Sequence, residues 1–273
     1  MNTLKTAFLV WSGIFVTLPA LAVDLNQVRG ASRKEFLSPA GLVEICVIPK
    51  KWSGAAFRND DIADENEMCA LDMYRNAGLC PKYSSTNPAI LLIEPNAKYS
   101  KQQIDASSCQ IDALDFEVEG KFKQSITCSY TPSILAYYQV SRILGNINRV
   151  PVSVIRSMDR SIHWQLVQKA NRWLSTHRED IAPYWKEYAE VHRNPTRYPE
   201  IFDKSLTQIY GALTDQVKKE YYYTEVSGKG PYETRYQRFL RQTPFLRVAD
   251  PRLVSDVLGT SRSEEHTSEL QSH

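Results

Sequence analysis

The chain has 273 residues, 42% of them hydrophobic and 23% charged, with a formal net charge of +2. That composition can bury a sizeable core and carries too little basic excess to argue for nucleic acid as a partner. The five cysteines show no CxxC or Cys/His spacing, which excludes a zinc-site reading.

Residues 1–22 read as a secretory signal peptide. Lys5 gives the positive start, an apolar run follows, and Ala20-Leu21-Ala22 is a small-residue cleavage site. The run contains Gly13 and Pro19 and falls short of the ~20 apolar residues of a membrane span. The expected location is periplasmic or secreted, with no stable membrane span. In such compartments disulfides persist. The disulfide candidates are Cys69, Cys80, Cys109 and Cys128, and the working expectation pairs Cys69 with Cys80 and Cys109 with Cys128. Connectivity does not follow from sequence, and an odd count leaves one thiol over.

The first predicted element is a strand over 42–48, "LVEICVI". A helix is predicted over 59–78, capped by Asn59 or Asp60 and closed by Gly78. Its acids Asp60, Asp61, Asp64, Glu65 and Glu67 lack the ligand alternation of a calcium loop and read as a solvated helix start favoured by the macrodipole. "AILLIEP" is a second strand. "ALDFEVEGKFKQSIT" reads as a hairpin with Glu119-Gly120-Lys121 as its loop, which sets Val118 against Phe122 and Glu117 against Lys123. Thr131 then caps a helix with Pro132 at its first position and Gly145 as its stop. Ile134, Leu135, Tyr138, Ile143 and Leu144 form its apolar stripe. Residues 150–156 are a buried strand.

Beyond Met158 the pattern becomes helical. Asp159 caps a helix carrying Ile162, Leu166, Ala170, Trp173 and Leu174, and His163 reads as an amphipathic-helix histidine, the alternative being that Asp159 and His163 face a cleft. A second helix holds Trp185, Tyr188 and Val191. A third starts at Pro199 and gathers Phe202, Leu206, Ile209, Tyr210 and Leu213. Residues 215–235 read as a charged, tyrosine-rich loop, and a last short helix opens at Asp250-Pro251. Residues 262–273 look like the in-frame translation of a widely used sequencing adapter, a scar to be excluded from fold reasoning. On that reading the natural frame continued past Ser261.

The order of lysine strand, helix and Val-Pro strand carries a resemblance. Lys123 in "KFKQ", Arg142-Ile143-Leu144-Gly145, and Val150-Pro151 with Arg156 resemble the amino-terminal lobe of secreted kinases of the Golgi casein kinase and four-jointed group. More distantly they resemble HipA-like and phosphoinositide-kinase-like folds. The resemblance spans roughly 113–159. It implies a kinase-like lobe in which Lys123 contacts nucleotide phosphates, ATP with a divalent metal as cofactor, and a protein or small-molecule acceptor. The helix acid that holds such a lysine in this group corresponds to Ser133, and 131–145 contains no acid. His177-Arg178-Glu179-Asp180 and His192-Arg193-Asn194 mimic a catalytic-loop tripeptide without the required Asn spacing, so no catalytic residue is assigned.

The expected architecture is therefore α+β. A small antiparallel sheet with a packed helix occupies 23–159 and a mainly helical segment occupies 160–261. The expected function is the nucleotide-binding lobe of an exported kinase-like phosphotransferase, its catalytic lobe lying beyond Ser261. The alternative is a non-catalytic binding or scaffold protein on the same fold.

Overall fold

The computed structural model describes residues 22–83, 87–110, 117–126, 129–145, 150–177 and 179–216. The signal peptide but for Ala22, the last predicted helix, the 262–273 tail and Cys128 lie outside them. The fold class is α+β. Seven strands form one antiparallel sheet: β1 (Ser32–Leu37), β2 (Val43–Ile48), β3 (Gly78–Pro81), β4 (Ile90–Ile93), β5 (Val118–Lys123), β6 (Ser153–Asp159) and β7 (Gln208–Asp215), in the order β1-β2-β6-β7-β5-β4-β3. Among the described residues five α-helices accompany it: α1 (Asn59–Met68), α2 (Lys101–Ala106), α3 (Thr131–Ile143), α4 (Arg160–Leu174) and α5 (Ala182–Arg193).

Side chains alternate across a strand, so the register sorts the sheet into two faces. Val154 opposite Leu213, Met158 opposite Ile209, and Phe122 opposite both Ile90 and Leu213 share one face. That face forms the main core with Leu166, Val167 and Ala170 of α4 and Trp185 and Tyr188 of α5. On the other face Ile45, Val47, Ile155 and Tyr210 pack on Val23, Leu25 and Val28. A third cluster joins Cys80, Leu91 and Ile93 to Ile104 of α2 and Cys109.

Several expectations give way. The helix predicted from Pro199 is largely β7, which lies between β6 and β5. Ile209 and Leu213 fit either periodicity in isolation, and pairing on both sides decides for the strand. Elements on either side of residue 159 thus share one sheet. The predicted hairpin at 119–121 is one extended strand. Gly120 pairs with Leu92 on one side and Asp215 on the other. A Cβ on Gly120 would lie 3.2 Å from both Met68 Cε and Thr214 O, so this glycine serves close approach rather than a turn. Glu117 and Lys123 consequently do not face each other across a hairpin.

The predicted 59–78 helix stops at Met68, Arg58 is its N-cap, and Gly78 opens β3. Helix α3 starts at Thr131 with Tyr130 as N-cap, and the Thr131 N–H donates to Ser125 Oγ at 3.1 Å. Its buried face is Thr131, Tyr138, Gln139, Ser141 and Arg142, while Ile143 and Leu144 are exposed. The disulfides are Cys46–Cys69 and Cys80–Cys109, not the expected pairing. The first ties β2 to the residue after α1 within the main core, and the second ties β3 to the residues after α2. Sequence proximity misled because the strand register, not chain separation, sets which Cα atoms come within bridging distance.

Candidate functional site

Strand β5 delivers Lys123 to the sheet face opposite Phe122. Lys123 pairs with Ala212 of β7 and is 6% exposed. Ile90 pairs with Phe122 and with Pro81, and the Lys82 N–H donates to Ala89 O at 2.9 Å. The next rung of the register is therefore Lys82, Ala89, Lys123, Ala212. Lys82, also 6% exposed, stands two strands from Lys123, about 10 Å away at the usual spacing. Buried ammonium groups require compensation, and other groups of the chain engage both lysines. Sequence reading missed Lys82, whose only signal was its place just after an apolar "GLCP" run.

The end of β5 is tightly held. A Cβ on Gly211 would lie 2.0 Å from Lys123 O, so only glycine lets the chain leave the strand over β7. Gln124, the next residue, is fully buried and accepts from the Tyr188 hydroxyl. Helix α3 then begins with Ser133 exposed. The connection from β3 to β4, residues 82–89, contains no glycine.

The acids that meet α3 come from α1, and they are not a solvated helix start. Asp61 and Glu65 are 0% and 2% exposed. Arg142 donates to Asp61 through Nε at 3.0 Å and Nη2 at 2.7 Å, and its Nη1 donates to Val150 O and Ser141 Oγ, both at 3.0 Å. Arg58 adds its backbone N–H at 2.8 Å and Nη2 at 3.1 Å to the same carboxylate. Burial alone would raise the Asp61 carboxyl, yet the bonds from Arg142 and Arg58 outweigh it and leave it below its ordinary range. Tyr138 donates to Glu65 at 2.7 Å. These contacts fasten α3 to α1.

A second buried polar group lies under β1 and α4. Glu44 is 0% exposed, accepts from the Tyr74 hydroxyl, and accepts from the Asp159 N–H at 2.6 Å. Burial pushes its carboxyl up to about 7, partly offset by those bonds and by Arg156. Arg156 is 0% exposed, 4.0 Å from Glu44, and stacks 3.9 Å from the Phe36 ring centroid. Among the described residues none of its guanidinium nitrogens has a hydrogen-bond partner. Asp159 caps α4 by accepting from the Ser161 N–H and hydroxyl, both at 2.7 Å, and from Ser38 Oγ at 2.9 Å.

Beside it, His163 Nδ1 and His192 Nε2 are 2.8 Å apart. His163 is fully buried. Burial, then His192, holds it well below its ordinary range, while burial and the Arg160 charge push His192 down to about 4. A cleft of about 420 Å³ opens here, lined by Leu42, Asp159, Arg160, Ser161, Trp164 and His192, among others. His177 and Asp180 are exposed, and the His177 ring stacks on Trp173 at 3.8 Å. Among the described residues no group of three or more His, Cys, Asp or Glu side chains could hold a metal ion. No described helix is long and apolar enough to cross a membrane.

No protein-family model matches the chain, and no curated protein or solved structure matches it at a significant level.

Proposed function

We propose that the chain is the nucleotide-binding lobe of an exported kinase-like phosphotransferase, acting in the periplasm or outside the cell, with Lys123 as its contact to the phosphates of ATP. One observation carries this reading. Lys123 is buried at the end of the third strand of the β3–β4–β5 meander, on the chain that leads into α3 and then β6. A strand lysine followed by a helix is the arrangement in which kinases place charge against nucleotide phosphates. Lys82 adds a second cation on the same rung. The two disulfides suit an oxidising compartment.

The lysines fit the phosphate part of the cofactor. The described residues do not fit its divalent metal: no group of three or more His, Cys, Asp or Glu among them could hold one, and Asp61 and Glu65 already hold Arg142 and Tyr138. When bound, ATP would supply the transferable phosphoryl group. The lysines' part is electrostatic: they neutralise phosphate charge in a site partly shielded from water, where a charge acts more strongly than at the surface.

A non-catalytic binding or scaffold protein is the second reading. It is favoured by Ser133 at the position of the lysine-holding acid and by the use of α3 as a clamp on α1. Calorimetric titration with a non-hydrolysable ATP analogue separates the two. Binding that weakens roughly tenfold in Lys123→Ala supports the nucleotide lobe. Absence of binding to the unaltered protein overturns it in favour of the scaffold.

A further inference from the structure

Helices α4 and α5 lie against the Phe122 side of the sheet, so their outer surface is separated from Lys123 by the sheet itself. They run antiparallel. Asn171 Nδ2 donates to Trp185 O at 2.8 Å at one end, and the Trp164 ring lies 5.2 Å from that of His192 at the other. The outer seam between them is a groove of about 400 Å³, lined by Trp164, Gln168, Asn171, Arg172, Lys186, Ala189 and Arg193. Ala189 is buried and forms the floor, Trp164 and Asn171 are half-buried, and the three cations are exposed.

Among the described residues that line the groove there are three positive side chains and no acid. Among the described residues neither Arg172 nor Lys186 has an ion-pair partner. Arg193 has one, Glu190 at 3.4 Å, in an exposed pair of a kind worth little. Helical spacing sets the dimensions. Trp164, Gln168 and Arg172 are four residues apart on one side, and Lys186, Ala189 and Arg193 share the other. Seven residues from Lys186 to Arg193 span about 10 Å. The antiparallel arrangement brings Arg172 and Lys186 together at one end and Trp164 with Arg193 at the other.

The geometry points to a second ligand site here, one that takes a flat ring bearing a tetrahedral oxyanion, a phosphate or sulfate ester. The oxyanion sits between Arg172 and Lys186, where the guanidinium fork supplies paired donors. The ring lies against the Trp164 indole, with the Gln168 amide at its edge. Arg193 contributes charge near the ring. This inference goes beyond the nucleotide reading and does not rest on it, because no groove residue belongs to the β5–α3 region.

Ligand-observed NMR titration of the whole chain with 4-nitrophenyl phosphate and 4-nitrophenyl sulfate tests it. Inorganic phosphate and neutral 4-nitrobenzyl alcohol are the comparison probes. Saturable binding of either ester is expected, tighter than that of either comparison probe, and weakening as salt is added. The ester preferred identifies which oxyanion the site serves. The double variant Arg172→Ala/Lys186→Ala alters two exposed side chains and is expected to weaken binding roughly tenfold or more, with an unchanged circular dichroism spectrum. Lys123→Ala is expected to leave ester binding unchanged, which separates this site from the nucleotide reading. Equal binding in the double variant overturns the inference. So does equal affinity for the neutral alcohol, equal affinity for inorganic phosphate, or no saturable binding of either ester.

Discussion

Two arginines, Arg142 and Arg156, are 2% and 0% exposed, yet their surroundings differ in kind. Arg142 spends its donors on the two Asp61 oxygens, Ser141 Oγ and Val150 O. Arg156 has a carboxylate 4.0 Å away, an aromatic face, and, among the described residues, no hydrogen bond. The acids report the difference. Asp61 is held below its ordinary range although burial opposes this, whereas burial pushes Glu44 up to about 7. Solvent exposure is nearly the same in the two places, though Glu44 lies deeper than Asp61. Ionisation is decided by whether directed donors replace the water that burial removes. The first pair behaves as a joint between α1 and α3, and the second as a charge pair that the core tolerates.

Breaking the joint gives the largest expected effect. Asp61→Ala leaves the Arg142 guanidinium buried without its carboxylate and is expected to cost about 3–5 kcal/mol, read as a fall in the urea midpoint. A loss below about 1 kcal/mol would show that the pair is not a joint.

The Glu44 side sharpens the comparison through pH. Its folded-state value, about 7, lies above the ordinary value of 4.5. The folded protein therefore binds the extra proton between those limits. Glu44 stabilises the fold fully below the lower value, and this contribution is lost as pH rises through about 7. His163 and His192, held low by burial, act with the opposite sign as pH falls below the ordinary histidine range. The readout is accordingly the stability of the unaltered protein minus that of Glu44→Gln. This difference is expected to fall by about 1.4 kcal/mol per pH unit within the window. A flat difference would place Glu44 in an ionised state throughout.

The smallest effect is expected at the second arginine. Arg156→Met keeps the side-chain volume and removes an unbonded charge, so the change in stability measured at pH 5, with Glu44 protonated, is expected to lie between zero and a gain of about 1 kcal/mol. A loss comparable to that of Asp61→Ala would erase the distinction between the two arginines.

The parts of this molecule legible in its sequence are those with a local signal. Strand β2, strand β4, and helices α4 and α5 follow from apolar periodicity, and Asp159 caps α4 as a side-chain acceptor should. Strand β1, with its "SRKEFL" alternation of long polar residues, gives little hydrophobic contrast and was not anticipated. The four-residue β3 and the six-residue α2 are too short for periodicity to speak. Strand β7 was misread because its ladder partners in β5 and β6 lie 49 or more positions away, and only those ladders distinguish "QIYGALTD" from a helix. Gly120 suggested a turn for the same reason: the Met68 and Thr214 contacts that crowd a side chain there come from distant segments.

The site shows the same division. Lys123 was visible from its strand and the helix after it. Its alignment with Lys82 depends on the β3–β4–β5 register, and the Glu44–Arg156 and His163–His192 pairs join residues far apart in the chain. The buried role of Asp61 and Glu65 was hidden because five acids in one helix look like a solvated surface until Arg142 arrives from α3.

The central functional claim concerns Lys123, and calorimetry with a non-hydrolysable ATP analogue measures it most directly when Lys123→Ala is compared with Lys50→Ala, an exposed lysine outside the site. The expected result is saturable binding to the unaltered protein, the same affinity in Lys50→Ala, and an affinity lower by roughly tenfold in Lys123→Ala with the fold intact by circular dichroism. Equal affinity in the two variants, or no binding to the unaltered protein, would contradict it.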